Sequence, residues 1–141
     1  MLAGLWFLGD RLAIEAVDIR HVWDRVRDDI EQIRIDGDWD WKPEDVYAAC
    51  VNGSAHIYMP DDDDYGFIVV QLIESPFTGE QGLFVWLAYS PDGRAQEKFG
   101  EEVEGLARGA NCTFITFKSK RRGFERRGGW RVDYTVYRKE V

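Results

Sequence analysis

The stretch "QGLFVWLAYSPDGRAQEKFGEEVEGLARGANCTFITF", residues 81–117, contains two apolar runs separated by a helical pattern. The runs "QGLFVWLAYS" and "CTFITF" are rich in β-branched and aromatic residues, which is typical of strands. Between them Phe99, Val103 and Leu106 are spaced by three and four residues, as on one face of a helix that ends at Gly109. A strand, a helix and a strand in this order normally form a right-handed crossover, so we expect these two strands to be parallel.

Two more strand-like runs precede this unit. "SAHIYM" and "YGFIVVQLIE" are separated by the turn-forming run "PDDDD", and "SPFTGE" then leads into the crossover unit. Turn residues between short β-rich runs favour hairpins. The centre of the chain is therefore predicted to be a meander of three antiparallel strands.

The first third of the chain predicts a strand and two helices. "DIRHVWDRVRDDIEQIRI" has apolar residues at helical spacing, and Asp18 is the predicted N-cap. "DGDWDW" interrupts this helix, and "KPEDVYAACVNG" restarts one with Pro43 in its first turn and Gly53 after its end. The apolar opening, residues 1–9, predicts a first strand. It is too short to cross a bilayer and lacks the features of a signal peptide, which favours a cytoplasmic protein.

The last part of the chain predicts a short helix and a terminal strand. The glycines in "SKRRGFERRGG" limit any helix there. "WRVDYTVYRKE" then alternates Trp130, Val132, Tyr134 and Val136 with polar residues, as in a half-buried strand. We expect Trp130 in the core, and an element order of β-α-α-β-β-β-α-β-α-β.

Composition indicates one globular domain, residues 1–141. The chain is 45% hydrophobic and 14% aromatic, which excludes a disordered protein. Its net charge of −8 is unevenly distributed: from residue 118 onward nine Lys/Arg face three Asp/Glu, a local balance of +6, which leaves −14 for the rest. The basic run of residues 118–127 has three interpretations: a contact with the phosphates of a ligand, a nucleic-acid contact, or a solvated face. Nucleic acid ranks last because the rest of the chain is acidic.

No metal site or disulfide framework is predicted. Cys50 and Cys112 lie 62 residues apart without a nearby histidine, so we expect reduced, buried thiols. The acidic run of residues 61–64 lacks the glycine and terminal glutamate of a calcium loop, so a solvated turn is favoured. Neither His21 nor His56 is assigned to catalysis.

The element order, together with "ARGANCTFITF", "RRGFERRGGW" and "YTVYRKEV", resembles the Gcn5-related N-acetyltransferase (GNAT) superfamily. Within it the chain looks most like the small GNAT-like proteins of tailed bacteriophages. The resemblance covers nearly the whole chain and implies an α+β fold. It implies a mixed, mostly antiparallel sheet of about six to seven strands flanked by about four helices.

The resemblance also implies a place for acetyl-CoA. In GNAT enzymes the fourth strand splays from the fifth, its backbone pairs with the pantetheine arm, and the next turn holds the pyrophosphate. The free N–H groups at a helix N-terminus suit a phosphate. The corresponding residues here are Leu87, Ala88 and Tyr89 for the pantetheine arm and Gly93, Arg94, Ala95 and Gln96 for the pyrophosphate.

Acetyl transfer needs a base for the amine and an acid for the leaving thiolate. By resemblance Glu74, at the end of the third strand, is the candidate base. Phe124 stands where the family often has its tyrosine acid, so Tyr134 is the candidate acid, with Tyr89 and Tyr137 as alternatives.

Trp39 and Trp41 lie in the region that lines the acceptor side in the resembled family. Their acidic neighbours suit a cationic amine, and core packing is the alternative for at least one of them.

The resulting hypothesis is a phage-encoded enzyme that moves an acetyl group from acetyl-CoA to a primary amine. The alternative is a catalytically degenerate GNAT-fold protein with a binding or structural role, either a virion component or a host-interacting protein. The expected location is the host cytoplasm or the virion, without a membrane partner. A homo-oligomer is left open.

Overall fold

The structure, a computed structural model, describes residues 13–141. The predicted strand in residues 1–9 lies outside this range. The described elements, in chain order, are β1 (Ile14–Val17), α1 (Ile19–Gly37), α2 (Pro43–Val51), β2 (His56–Pro60), β3 (Phe67–Glu74), β4 (Gln81–Tyr89), α3 (Ala95–Gly109), β5 (Phe114–Phe117) and a 3-10 turn (Phe124–Arg126).

The strands form one mixed sheet in the order β1-β2-β3-β4-β5. β2, β3 and β4 are antiparallel neighbours, which confirms the predicted meander of three strands. β1, which was not predicted at Ile14–Val17, pairs antiparallel with β2. β4 and β5 are parallel and are joined by α3, as the crossover pattern predicted. They form the only parallel pair among the described strands.

Helices cover both faces of the sheet. α1 and α2 lie on one face, and α3 lies on the other. Successive residues of a strand point to opposite faces, which explains why β2 and β3 are apolar at nearly every position. The core of the first layer is Ile19, Val22, Val26, Ile30, Val46, Ala55, Ile57, Met59, Phe67, Val69 and Leu87. The core of the second is Ile14, Tyr58, Ile68, Val70, Leu83, Phe99, Val103, Leu106 and Ala107.

The end of α1 fixes the position of Trp39. Asp38 takes a left-handed conformation (φ 50°), and the Trp39 N–H donates to the Arg34 carbonyl over 3.0 Å. These bonds close the helix, as in a Schellman motif. Gly37 has no side chain, and a Cβ there would lie 2.2 Å from the Trp39 ring. Glycine at this position therefore allows the indole to fold back over the end of the helix.

The predicted terminal strand is wrong. Residues 131–141 form no hydrogen-bonded secondary structure, and Val132, Tyr134 and Val136 are 63%, 70% and 78% exposed. A strand needs a partner edge as well as an alternating pattern. Here Gly128 and Gly129, at φ 64° and 77°, turn the chain just before the segment begins.

Trp130 is half-buried, not in the core as expected. Val132, Tyr134 and Val136, which were expected to share its buried face, are exposed. It makes an edge contact with Phe117, with ring centroids 4.8 Å apart. Residues 13–141 contain five strands and three α-helices, fewer than the six to seven strands and four helices expected.

Candidate functional site

β4 changes its pairing near its carboxyl end. Val69 of β3 is opposite Leu87 and Val70 is opposite Val85, so Trp86 is an extra residue in β4. Such a bulge rotates the strand locally, and both Trp86 and Leu87 consequently face the α1–α2 layer. The bulge could not be foreseen, since "VWLAY" reads as an uninterrupted strand.

The pairing of β4 with β5 ends at the same point. Their pairing ends at Val85 opposite Phe117, where β5 also ends. From Trp86 to Tyr89 the backbone has β3 on one side and no described strand on the other. On that side Leu87, Ala88 and Tyr89, the residues predicted to contact the pantetheine arm, have no strand partner among residues 13–141; this open side of β4 is called the gap below.

A tight turn connects β4 to α3 and fixes the start of this helix. The buried Ser90 hydroxyl donates to Asp92 Oδ1 over 2.6 Å, and the Arg94 N–H donates to the same oxygen over 3.0 Å. Both hydrogen bonds lower the pKa of Asp92, and the bond from Ser90 has the larger effect. Gly93 adopts φ 75°, which favours glycine.

The first turn of α3 is available for binding. Arg94 is the N-cap, so the N–H groups of Ala95, Gln96 and Glu97 have no intrahelical acceptor. Gly93, Arg94, Ala95 and Gln96 thus follow shortly after the unpaired end of β4.

The basic run, residues 118–127, crosses this region and contacts both layers. Lys118 Nζ lies 5.6 Å from the centre of the Phe84 ring. Lys120 Nζ donates to the Asp38 carbonyl over 2.6 Å and lies 4.9 Å from the Trp39 ring centre. At the other end Arg127 Nη1 is 3.1 Å from Glu97 Oε1 in the first turn of α3.

The predicted acceptor residues are both half-buried. Trp41 packs edge-on against Trp86 of the bulge, with ring centroids 5.9 Å apart and planes at 81°. Trp39 lies beneath Lys120 instead. The loop between α1 and α2 is thus connected to β4 by one indole and to the basic run by the other. No local pattern marked Lys120 or Trp86 as members of this group.

An aromatic and acidic cluster lies at the end of β4 on the α1 side. The Tyr65 hydroxyl is 2.6 Å from Asp29 Oδ2 and 2.9 Å from the Arg25 carbonyl. The Tyr89 ring stacks on Phe67 at 5.4 Å and meets Tyr65 at 5.8 Å. Burial raises the pKa of the Tyr89 hydroxyl, and the nearby Asp29 carboxylate raises it further. Sequence reasoning missed Asp29 and Tyr65, which are 36 residues apart.

Two predicted catalytic residues are not brought to this site. Glu74 pairs with Gln81 at the start of β4, whereas Tyr89 at its end pairs with Phe67. Eight residues of strand place Glu74 roughly 25 Å from Tyr89. Tyr134 is 70% exposed in the segment without secondary structure. The structure therefore gives neither residue a contact with the gap.

The thiols and acidic groups suggest no second site. Cys50 and Cys112 are free and half-buried, and burial raises the pKa of Cys50 to about 11. Within residues 13–141 no three His, Cys, Asp or Glu side chains are arranged to hold a metal ion. None of the helices in this range has the length and apolar character needed to cross a membrane.

Solved structures of acetyltransferases resemble this fold. A ribosomal-protein-alanine N-acetyltransferase from Brucella melitensis gives a TM-score of 0.65 at 12% identity, covering 91% of this chain and 97% of that one. A GNAT family acetyltransferase from Staphylococcus aureus gives 0.59 at 9% identity, with 91% and 97% covered. An aminoglycoside acetyltransferase from a soil metagenome, in complex with sisomicin, gives 0.53 at 6% identity, with 76% of each chain covered.

No family model and no curated protein sequence matches the chain. The fold is that of the GNAT acetyltransferases, which confirms the predicted α+β class. At such low identity the likeness establishes the fold alone. The bacteriophage origin and the cytoplasmic location stay predictions.

Proposed function

We propose that this protein is an acetyl-CoA-dependent N-acetyltransferase that acts on a primary amine. The observation that carries the proposal is the end of the β4–β5 pairing next to the Trp86 bulge, shortly before the free N-terminus of α3. A gap of this kind offers unpaired strand backbone and a phosphate-binding helix end along one line. The solved structures with this fold include acetyltransferases, which supports the same chemistry.

In this proposal two groups of residues beside the gap bind different parts of acetyl-CoA. The backbone of Leu87, Ala88 and Tyr89 pairs with the pantetheine amides. Gly93, Arg94, Ala95 and Gln96 contact the pyrophosphate with N–H groups and one guanidinium. The acetyl end then lies beside Trp86.

Trp41 lies beside Trp86, so the acceptor amine approaches from the loop between α1 and α2. The amine nitrogen attacks the thioester carbonyl, the new C–N bond forms, and the C–S bond breaks. CoA leaves as the thiolate, and the amine releases one proton. Trp39 and Trp41 orient the acceptor, and the acidic residues Asp36, Asp38 and Asp40 near them attract a cationic amine. Glu74 and Tyr134 have no part in this step.

Acetyl-CoA binding is the direct test. We expect saturable calorimetric binding of acetyl-CoA, competition by free CoA, and release of CoA thiol that depends on added primary amines. A tertiary amine of the same size serves as the control, because it cannot form a stable amide. Absence of acetyl-CoA binding would contradict the proposal.

Arg94→Ala is expected to weaken acetyl-CoA binding roughly ten-fold, because one charge-assisted contact to the pyrophosphate is lost. Arg94 is 73% exposed, so the fold should be unaffected. Arg108→Ala is the matched control, since Arg108 is a similarly exposed arginine in the last turn of the same helix. Calorimetric titration of both variants measures the difference. Equal losses would indicate diffuse attraction to positive charge instead of a site at the turn.

The second candidate is a catalytically degenerate protein that uses the same fold for binding. The observation in its favour is the acidity around the first turn of α3, where Asp92 and Glu97 would repel a pyrophosphate. Arg127 and Arg94 both approach Glu97, which reduces this repulsion. The two candidates separate in the experiment above: a degenerate protein shows no thiol release with any amine, whether or not acetyl-CoA binds.

A further inference from the structure

Lys120 places a primary ammonium group on the loop between α1 and α2. Its Nζ donates to the Asp38 carbonyl over 2.6 Å and lies 4.9 Å from the centre of the Trp39 ring. The face of an indole attracts a cation, and a carbonyl oxygen accepts a hydrogen bond from it. The two groups therefore form a small ammonium site, which Lys120 occupies.

The end of α1 builds this site without help from Lys120. The Trp39 N–H donates to the Arg34 carbonyl, and the absence of a side chain at Gly37 leaves room for the indole. The carboxyl end of a helix has a partial negative charge, which favours a cation. Three carboxylates adjoin the site in the sequence: Asp36, Asp38 and Asp40. The site should therefore persist, and still attract a cation, when Lys120 leaves it.

A competing cation can displace Lys120. This residue is exposed, lies outside the helices and strands, and reaches Asp38 from 82 residues away in the sequence. Cation–π contacts and hydrogen bonds at an exposed position are weak, because water competes for the same groups. The ammonium group of a ligand can thus take the place of the Lys120 ammonium without disturbing the core.

The Trp39 ring suits a nitrogen that does not react. Acetyl transfer requires a neutral amine, whereas this site attracts the protonated form. The reacting position of the proposed function lies beside Trp41, which packs against Trp86 of the bulge. Trp39 and Trp41 are two residues apart, so their Cα atoms are separated by at most about 7 Å. One short molecule can therefore reach both positions.

We propose that the Trp39 ring and the Asp38 carbonyl bind a second ammonium group of the acceptor, which displaces Lys120. The acceptor is then a short diamine. One amino group reacts beside Trp86: its nitrogen bonds to the acetyl carbon, the C–S bond breaks, CoA leaves as the thiolate, and one proton passes to the solvent. The other amino group stays charged at Trp39. The diamine assignment rests on the proposed function, whereas the ammonium site does not.

Binding of diaminobutane in the absence of acetyl-CoA tests the site. Trp39→Leu should weaken calorimetric binding at least about ten-fold, and Trp39→Phe should weaken it less, because phenylalanine keeps an aromatic face. Lys120→Ala should strengthen binding several-fold, because an internal competitor is removed. Lys118→Ala is the matched control, since Lys118 is also exposed but lies over the Phe84 ring instead. In the wild type, diaminobutane should shift the indole N–H resonance of Trp39.

Release of CoA thiol from acetyl-CoA tests the acceptor. Butylamine is the matched substrate, because it has the same carbon chain and only one amino group. The KM for diaminobutane should be at least about ten-fold lower than that for butylamine, with similar kcat values. Trp39→Leu should bring the two KM values together, because the second amino group then has no site.

Three results would overturn the ammonium site. The first is binding of diaminobutane that Trp39→Leu leaves unchanged. The second is an equal gain in Lys120→Ala and Lys118→Ala, which would mean general charge repulsion. The third is weaker binding and a lower melting temperature in Lys120→Ala, which would make Lys120 a structural contact.

The kinetic outcomes separate this inference from the proposed function. Equal KM values for diaminobutane and butylamine would refute the diamine assignment and leave the acetyltransferase proposal standing. Binding of diaminobutane at Trp39 without thiol release from any amine would refute the acetyltransferase proposal, and the diamine assignment with it, and leave the ammonium site standing.

Discussion

Replacing Phe67 with alanine is expected to lower the free energy of unfolding by about 3–5 kcal/mol, the range for truncating a buried phenylalanine. Phe67 is fully buried at the start of the central strand β3, and its ring stacks on Tyr89 and meets Tyr65 edge-on. Its removal leaves a cavity between the sheet and α1 and removes the support of the Tyr89 ring. Urea unfolding followed by tryptophan fluorescence measures the change.

Phe77→Ala is the matched control for this variant. Phe77 lies in the turn between β3 and β4 and is 95% exposed, so its truncation should change the unfolding free energy by less than about 0.5 kcal/mol. If Phe67→Ala unfolds at the same urea midpoint as the wild type, the core of the α1–α2 layer has been assigned to the wrong face of β3.

Tyr58→Phe is expected to stabilise the protein by about 1–3 kcal/mol, in contrast to most core substitutions. Tyr58 is 1% exposed in β2, and its hydroxyl has no hydrogen-bond partner within residues 13–141. A buried hydroxyl without a partner carries an uncompensated desolvation cost, and phenylalanine keeps the ring while removing that group. Thermal and urea unfolding of the two proteins give the comparison.

Tyr65→Phe also removes one buried hydroxyl group, but its expected effect on the free energy of unfolding has the opposite sign. The Tyr65 hydroxyl donates to Asp29, so its loss should destabilise the protein by about 1.5–3 kcal/mol, the range for a hydrogen bond to a charged group. Destabilisation by Tyr58→Phe, as large as that by Tyr65→Phe, would show that the Tyr58 hydroxyl has a partner and would refute the assignment.

The sequence by itself determined the order of the elements from α1 to β5, the parallel pair and most of the core. These features depend on local periodicity: the spacing of Phe99, Val103 and Leu106 specifies a helix face whatever surrounds it. Asp18 caps α1 as predicted, because capping involves only its neighbours in sequence. The crossover then fixes the direction of β5, since the hand of such a connection is nearly invariant.

Only the tertiary structure decided the geometry of the candidate site. The Trp86 bulge depends on how β3 and β4 are registered, and the gap exists because β5 ends at Phe117. Lys120 reaches Asp38 from 82 residues away in the sequence, a contact that no local pattern encodes. The alternation at Val132–Val136 predicted a strand that the structure does not contain. An alternating pattern indicates which side chains would be buried in a strand, but the strand forms only where a neighbouring strand edge supplies its hydrogen bonds.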